Sequence, residues 1–301
     1  MKILLTGASG YIGSQLLPLL LEQGHHVNIL IRHGKNLPIS PKFETQVTFL
    51  QGDLLDKSSL PVLDNIDAAY YLVHSMADDP KHFSELEEKS CNNFLTLVEK
   101  TKIKQIIYLS GLHQGTVLSE HFRSRLHVEE LLKTSTSNIT IIRASIIIGA
   151  GSASFKIIRD LVEKLPIMIA PRWLNTRCQP IAISDVLYYL VKLLNQPPAF
   201  NKTFEIGGPD TMTFKEMLLI YARLRGLKRW IWTVPVLTPH LSSYWLYLVT
   251  KVNFSLAASL VESLKVESTV QDREIQLVFP HECLSYEKAI RLAIGKDNFV
   301  E

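Results

Sequence analysis

The sequence predicts an α/β protein built on a doubly wound parallel sheet, with a smaller C-terminal substrate or partner domain. Three observations point there. Short apolar runs alternate with longer helical patterns over the first two-thirds of the chain. The first of those runs leads directly into a glycine-rich loop, Thr6-Gly7-Ala8-Ser9-Gly10-Tyr11-Ile12-Gly13. After about residue 150 the rhythm gives way to proline-marked and aromatic-rich stretches. The expected division is a core over 1–150, with a segment returning to it at about 181–206, and a smaller α/β region over 151–301.

Taken in order, Lys2 to Thr6 reads as a buried strand and Tyr11 to Gln23 as a helix capped by Gly24. Its apolar face is Ile12, Leu16, Leu19 and Leu20, and Pro18 inside it predicts a kink. Further strands are expected at 27–32, 47–50, 68–73, 105–110 and 140–143, with helices at 80–101 and 120–133. Right-handed crossovers between these strands produce the doubly wound order. Beyond 150, helices are expected at 154–165 and 184–194, a loop at Pro197-Pro198, and a strand at 203–206. Core packing is the expected role of Trp230, Trp232 and Trp245, the alternatives being an apolar substrate cleft or a membrane-facing surface.

Composition narrows the function. The chain has 47% hydrophobic and 20% charged residues and a net charge of +3. Its basic residues are spread out, so no nucleic-acid partner is expected. Cys91, Cys178 and Cys283 lie far apart, without a CxxC pair or a histidine at metal-ligand spacing. No metal site is expected, and the cysteine usage fits a reduced, cytoplasmic protein. The N-terminus lacks the apolar stretch of a signal peptide. No run reaches about 18 apolar residues, so membrane association is not expected.

The loop carries the chemistry. Gly7 permits a tight turn, Gly10 lets backbone N–H groups approach a pyrophosphate, and Gly13 lets helix and strand pack closely. The helix N-terminus adds partial positive charge. Thr6, Gly7, Ser9, Gly10, Tyr11, Ile12 and Gly13 are therefore candidate dinucleotide-binding residues on a Rossmann-type fold. The second strand ends in Arg32 where an acidic residue would favour NAD. Arg32, helped by Lys35, can hold a 2′-phosphate, which makes NADP(H) the expected cofactor over NAD(H). The other reading of Arg32 is stacking on adenine or a solvent-facing side chain. In Gly52-Asp53-Leu54, Asp53 reaches an adenine amino group or caps the next helix. His74, at the carboxyl end of the fourth strand, is a cofactor candidate or a plain loop histidine.

These motifs, with the stretches 108–112, 142–155, 165–186, 204–210 and 232–250, resemble the short-chain dehydrogenase/reductase superfamily, in particular its atypical NmrA-like and YbjT-like members. The resemblance covers essentially the whole chain. Active members of that superfamily use a Tyr-x-x-x-Lys pair on the helix after strand five, with a nearby Ser or Thr. The resemblance places His121 at the tyrosine position and Arg125 at the lysine position, with Ser110 as the strand-end hydroxyl. His121 is able to exchange a proton near neutral pH, and Arg125 is able to bond a ribose hydroxyl. An ordinary solvated helix face is the competing reading of His121. The resemblance implies an NADP(H)-dependent oxidoreductase acting on an unknown small-molecule substrate. The alternatives are a non-catalytic NADP(H) sensor with a regulatory protein partner, or a scaffold holding a structural nucleotide. Asn92, Asn93, Arg172, Arg177 and Gln179 are weaker site candidates, and Tyr188 and Tyr189 are read as packing residues.

Overall fold

The computed structural model describes residues 1–35, 37–74, 83–115, 119–234 and 264–297. Its first part runs β1 (Lys2–Thr6), α1 (Tyr11–Glu22), β2 (His26–Ile31), β3 (Val47–Gln51), β4 (Ala68–Tyr71), α2 (Phe83–Glu99), β5 (Gln105–Gly111), α3 (Glu120–Lys133) and β6 (Asn138–Ala144). There follow β7 (Ile147–Ile148), α4 (Ala153–Lys164), β8 (Ile167–Pro171), β9 (Arg177–Cys178), β10 (Ile181–Ala182) and α5 (Ile183–Lys192). The remainder is β11 (Lys202–Ile206), β12 (Met212–Thr213), α6 (Phe214–Leu224), β13 (Trp230–Val234) and the helices Glu274–Val278 and Tyr286–Asp297. Close packing divides the chain into two units. One is 1–110, 124–143 and 187–204; the other is 111–123, 144–186 and 205–301.

A seven-stranded sheet in the order β11-β6-β5-β4-β1-β2-β3 is the frame, with parallel pairing from β3 through β5. This is the doubly wound arrangement expected. The chain order reverses where β1 lies between β2 and β4, and ligands of such sheets bind outside the strand ends at that point. The central strands are apolar throughout because both faces are covered. Ile3, Leu4 and Leu5 of β1 and all of β4 are buried. Leu4, Tyr71, Phe94, Tyr108 and Val128 belong to one continuous core cluster on this sheet.

Helix α1 runs unbroken through Pro18, which sits on the exposed side. Its buried face is Gly13, Leu16, Leu17, Leu20 and Leu21, rotated from the expected one because Gly13 fixes which side meets β1. Gly24 ends it at φ +76. Its N–H donates to Leu21 O (3.0 Å) while His25 N–H donates to Leu20 O (3.2 Å), a Schellman cap. Strand β4 stops at Tyr71, two residues short of expectation, because Leu72 and Val73 turn under the glycine loop.

The returning segment 187–204 is tied in by buried polar groups. Gln105, fully buried on β5, donates through Nε2 to Thr140 Oγ1 (2.7 Å) and Leu193 O (3.0 Å) and accepts from Asn195 N–H (2.6 Å). Tyr70 donates its hydroxyl to Leu190 O (2.8 Å), and Thr140 Oγ1 donates to Ala199 O (2.7 Å).

In the second unit, α4 begins at a Ser152 cap and α6 at a Thr213–Glu216 capping box. Phe155, Leu161, Met217, Tyr221 and Tyr286 lie in its core. The tryptophan expectation is overturned for Trp230 and Trp232, each more than half exposed on β13. Strand alternation sends Ile231 inward and both tryptophans outward. They register against Ile167 and Ile169 of the parallel strand β8, which are also exposed. Trp245 and the aromatic stretch beyond Val234 lie outside the described residues, as do residues 80–82 of the second expected helix. No helix among the described residues is long and apolar enough to cross a membrane.

Candidate functional site

A cleft of about 590 Å³ opens at the carboxyl ends of β1, β2 and β4, within the first unit. Every candidate cofactor residue named from the sequence lines it: Thr6, Gly7, Ser9, Gly10, Tyr11, Ile12, Gly13, Arg32, Asp53, Leu54, His74 and Arg125. The sequence folds into this shape because side chains are excluded at two glycines. A Cβ on Gly7, whose φ is +75, would lie 2.5 Å from Leu72 O. A Cβ on Gly13 would lie 2.2 Å from Gly7 O and 2.8 Å from Ala8 Cα. Thr6 is buried and ties the strand ends together, donating Oγ1 to Tyr70 O (3.0 Å).

Gly10 is the N-cap of α1, its own N–H spent on Gly7 O (3.0 Å). No side chain caps this helix, and its first turn holds no acidic residue. The N–H groups of that turn, backed by the helix dipole, are thus left to an anion in the cleft.

At the end of β2, Arg32 and Lys35 are the first and last residues of a turn closed by Lys35 N–H to Arg32 O (3.1 Å). Gly34 at φ +73 makes that turn possible, and both cations line the cleft. Asp53 is not a helix cap. Its Oδ1 accepts from Leu55 N–H (2.9 Å), and the cap of the short helix Lys57–Ser59 is Asp56. Asn93, buried on α2, donates to Leu54 O (2.7 Å) and shapes this wall, while Asn92 is exposed.

The opposite wall holds His74 and Arg125. His74 Nδ1 lies 3.1 Å from Oε1 of the buried Glu87. Burial, and then the nearby Arg125 charge, push the imidazole down to about 4, against the pull of Glu87. His74 is therefore neutral at pH 7. Arg125 donates Nη1 to Leu109 O (2.9 Å) and Tyr108 Oη (3.3 Å). Its buried Nε has no hydrogen-bond partner among the described residues. Burial raises the Tyr108 phenol to about 12, so it stays protonated beside that guanidinium. Glu87 and Ser90, which lines the cleft, were not singled out by sequence. Their signal is a carboxylate inside the helical stripe Glu87, Ser90, Cys91, Phe94, Leu97, Val98.

Of the proposed reacting groups, Arg125 lines the cleft, and Ser110 and His121 are not among its lining residues. Ser110 is buried, its Oγ lacks a hydrogen-bond partner among the described residues, and it is not part of the cleft lining. His121 lies half-buried in the first turn of α3, its ring 5.4 Å from that of Phe122, in the stretch belonging to the second unit. Glu129, four residues beyond Arg125 on α3, is fully buried and paired to Arg143 (2.6 Å), which anchors α3 to β6. In the second unit Arg172 and Arg177 are exposed. Gln179 is a buried tie, bonded to Gly208 O (2.6 Å) and Val270 N–H (2.9 Å). Tyr189 is buried against Tyr188, their ring centroids 5.5 Å apart, as packing residues.

A model of the NmrA-like family matches residues 1–289. The chain belongs to the NmrA-like family. Among relatives of this NmrA-like chain, the photosystem II assembly factor Ycf39 of Guillardia theta is 23% identical over 245 residues, covering 78% of this chain and 74% of that protein. The mitochondrial NADH dehydrogenase 1 alpha subcomplex subunit 9 of Arabidopsis thaliana is 24% identical over 321 residues, covering 97% and 78%. The NAD complex of UDP-glucose 4-epimerase from Thermus thermophilus superposes with a TM-score of 0.72 at 15% identity, over 99% of each chain. At that identity the likeness shows the fold alone.

Proposed function

We propose that this protein binds NADP(H) in the β1–β2–β4 cleft and responds to it as a ligand, passing the state of the nucleotide to a protein partner. The observation that carries the binding is the uncapped N-terminus of α1 behind a loop that excludes side chains at Gly7 and Gly13. That is the donor set a pyrophosphate needs. Arg32 and Lys35 supply the charge for a 2′-phosphate, and Asp53 faces the same end. Arg125, which lines the cleft, is the residue placed to bond a ribose hydroxyl. When bound, the nicotinamide ring supplies hydride-transfer capacity.

Two features favour a responding role over turnover. The lysine position of the superfamily's catalytic pair holds Arg125, whose Nη1 is committed to β5. The neutral His74 on the same wall is a poor proton donor. The relatives named as an assembly factor and as a subunit of a larger complex agree with a partner-directed role. A reductase is the second reading, supported by the presence of His121 and Arg125 on one helix four residues apart.

Calorimetric titration with NADPH, NADP⁺, NADH and NAD⁺ tests this. The phosphorylated forms are expected to bind about 1–2 kcal/mol more tightly, with Arg32→Ala removing the gap. Unequal affinity for the oxidised and reduced forms is expected, without NADPH consumption in the presence of carbonyl or quinone substrates. Equal binding of all four sinks the 2′-phosphate assignment, and turnover moves the protein to the second reading.

A further inference from the structure

Outside the cleft, three potential metal-ligating side chains converge in the second unit. We propose that Asp185, His281 and Cys283 form a binding site for a zinc-type divalent ion. Their ligand atoms all lie within 4.8 Å of one another. His281 Nε2 is 3.0 Å from Asp185 Oδ1. Zinc bonds of about 2.0–2.3 Å set tetrahedral ligand atoms roughly 3.3–3.8 Å apart, so the trio closes around an ion by about 1 Å of side-chain movement.

The scaffold favours that closure over dispersal. Asp185 is buried in the first turn of α5, and its second oxygen accepts from Leu284 N–H (2.9 Å). An outer bond of this kind orients a metal-bound carboxylate. His281 and Cys283 are separated by one residue in the irregular segment between the helices Glu274–Val278 and Tyr286–Asp297. The helix that follows the segment is anchored at its first residue, where Tyr286 N–H donates to Asp210 (2.7 Å) and its hydroxyl to Met217 O (3.0 Å).

The donor set selects the ion. One sulfur, one imidazole nitrogen and one carboxylate oxygen suit zinc, whereas calcium and magnesium take oxygen shells. A thiolate and a carboxylate together balance the dication, so a charge buried here is compensated on binding. Among the described residues, these three side chains supply the donors of the site. The sequence reading that no histidine stands at metal-ligand spacing passed over His281 and Cys283, two positions apart, and Asp185 is 96 positions from His281.

The test uses the full chain stripped of metal and titrated with cobalt(II), followed by zinc competition against a chelator. One equivalent of cobalt is expected to bind with a thiolate-to-metal charge-transfer band, and zinc to displace it. Cys283→Ser is expected to abolish the band, and His281→Ala to weaken zinc binding more than about 100-fold, since even outer-sphere partners are worth 10–100-fold. Zinc should raise the melting temperature of the parent and of neither variant. Absence of the band in the parent, or a band that survives in Cys283→Ser, overturns the proposal. So does a parent whose melting temperature ignores zinc, which would make the trio a tether between α5 and the 280–285 segment and nothing more.

Discussion

At the β1–α1 end of the cleft the groups offered to a ligand are backbone N–H groups, held in place by Gly7, Gly10 and Gly13. At the β5–α3 end they are side chains that are already engaged: His74 with Glu87, and Arg125 with the Leu109 carbonyl and the Tyr108 hydroxyl. The first end is fixed by the absence of atoms, so a side chain at Gly7 or Gly13 collides with backbone. The second end is fixed by a network of partners, so its chemistry is able to drift while its packing survives. A wall of backbone donors thus stands beside a wall of engaged side chains.

Filling the first wall should have the largest effect. Gly13→Ala brings a methyl against Gly7 O and Ala8 Cα, both backbone, and neither is able to yield without unseating the loop. We expect a loss of about 3 kcal/mol or more in urea unfolding, with no nucleotide binding detectable by calorimetry. A variant that unfolds at the parental midpoint would mean the loop is softer than its contacts imply.

The second wall should instead reveal itself through pH. His74 sits near 4 in the folded protein against 6.5 as its ordinary value. Between those values the unfolded chain takes up a proton that the native imidazole refuses. Stability should therefore fall as pH drops from about 6.5 towards 4, with no contribution above that window. His74→Gln should flatten this fall by about 1–3 kcal/mol in chemical unfolding followed across the range. An unchanged slope would remove His74 from the network.

Smallest of all should be a change at a residue that lines neither wall. Trp232 is more than half exposed on β13. Trp232→Thr keeps a strand-compatible side chain and should alter unfolding free energy by less than about 0.5 kcal/mol. A loss of several kcal/mol would show that Trp232 is covered in solution.

The contrast also explains what was legible in the sequence. The loop, the positions of the first six strands and the capping glycine at position 24 rest on local patterns, and they appear in the structure within a residue or two. Arg32 and Lys35 were visible as cations, but the turn that aims both at one cleft depends on Gly34 taking a positive φ. Glu87 was hidden because a buried carboxylate makes sense only once His74, 13 residues earlier, is seen beside it. Trp230 and Trp232 were misread because an aromatic run gives no sign of which alternate positions face out. Of the Asp185–His281–Cys283 convergence, the His281 and Cys283 pair is local, and Asp185 is brought to it by the fold.

The stitching of 187–204 onto the sheet has a consequence for the protein as it is being made. Tyr70, Gln105 and Thr140 emerge from the ribosome early, yet their hydrogen-bond acceptors are Leu190, Leu193 and Ala199. A nascent chain of about 150 residues holds three buried donors whose final partners are still unsynthesised, and burying them unpaired costs about 1–3 kcal/mol each. At ordinary elongation rates the remaining stretch takes roughly 3–10 s. Over that interval the sheet is a half-finished object, and the growing chain's exposure to chaperones and proteases is set by the spacing of these residues along the message.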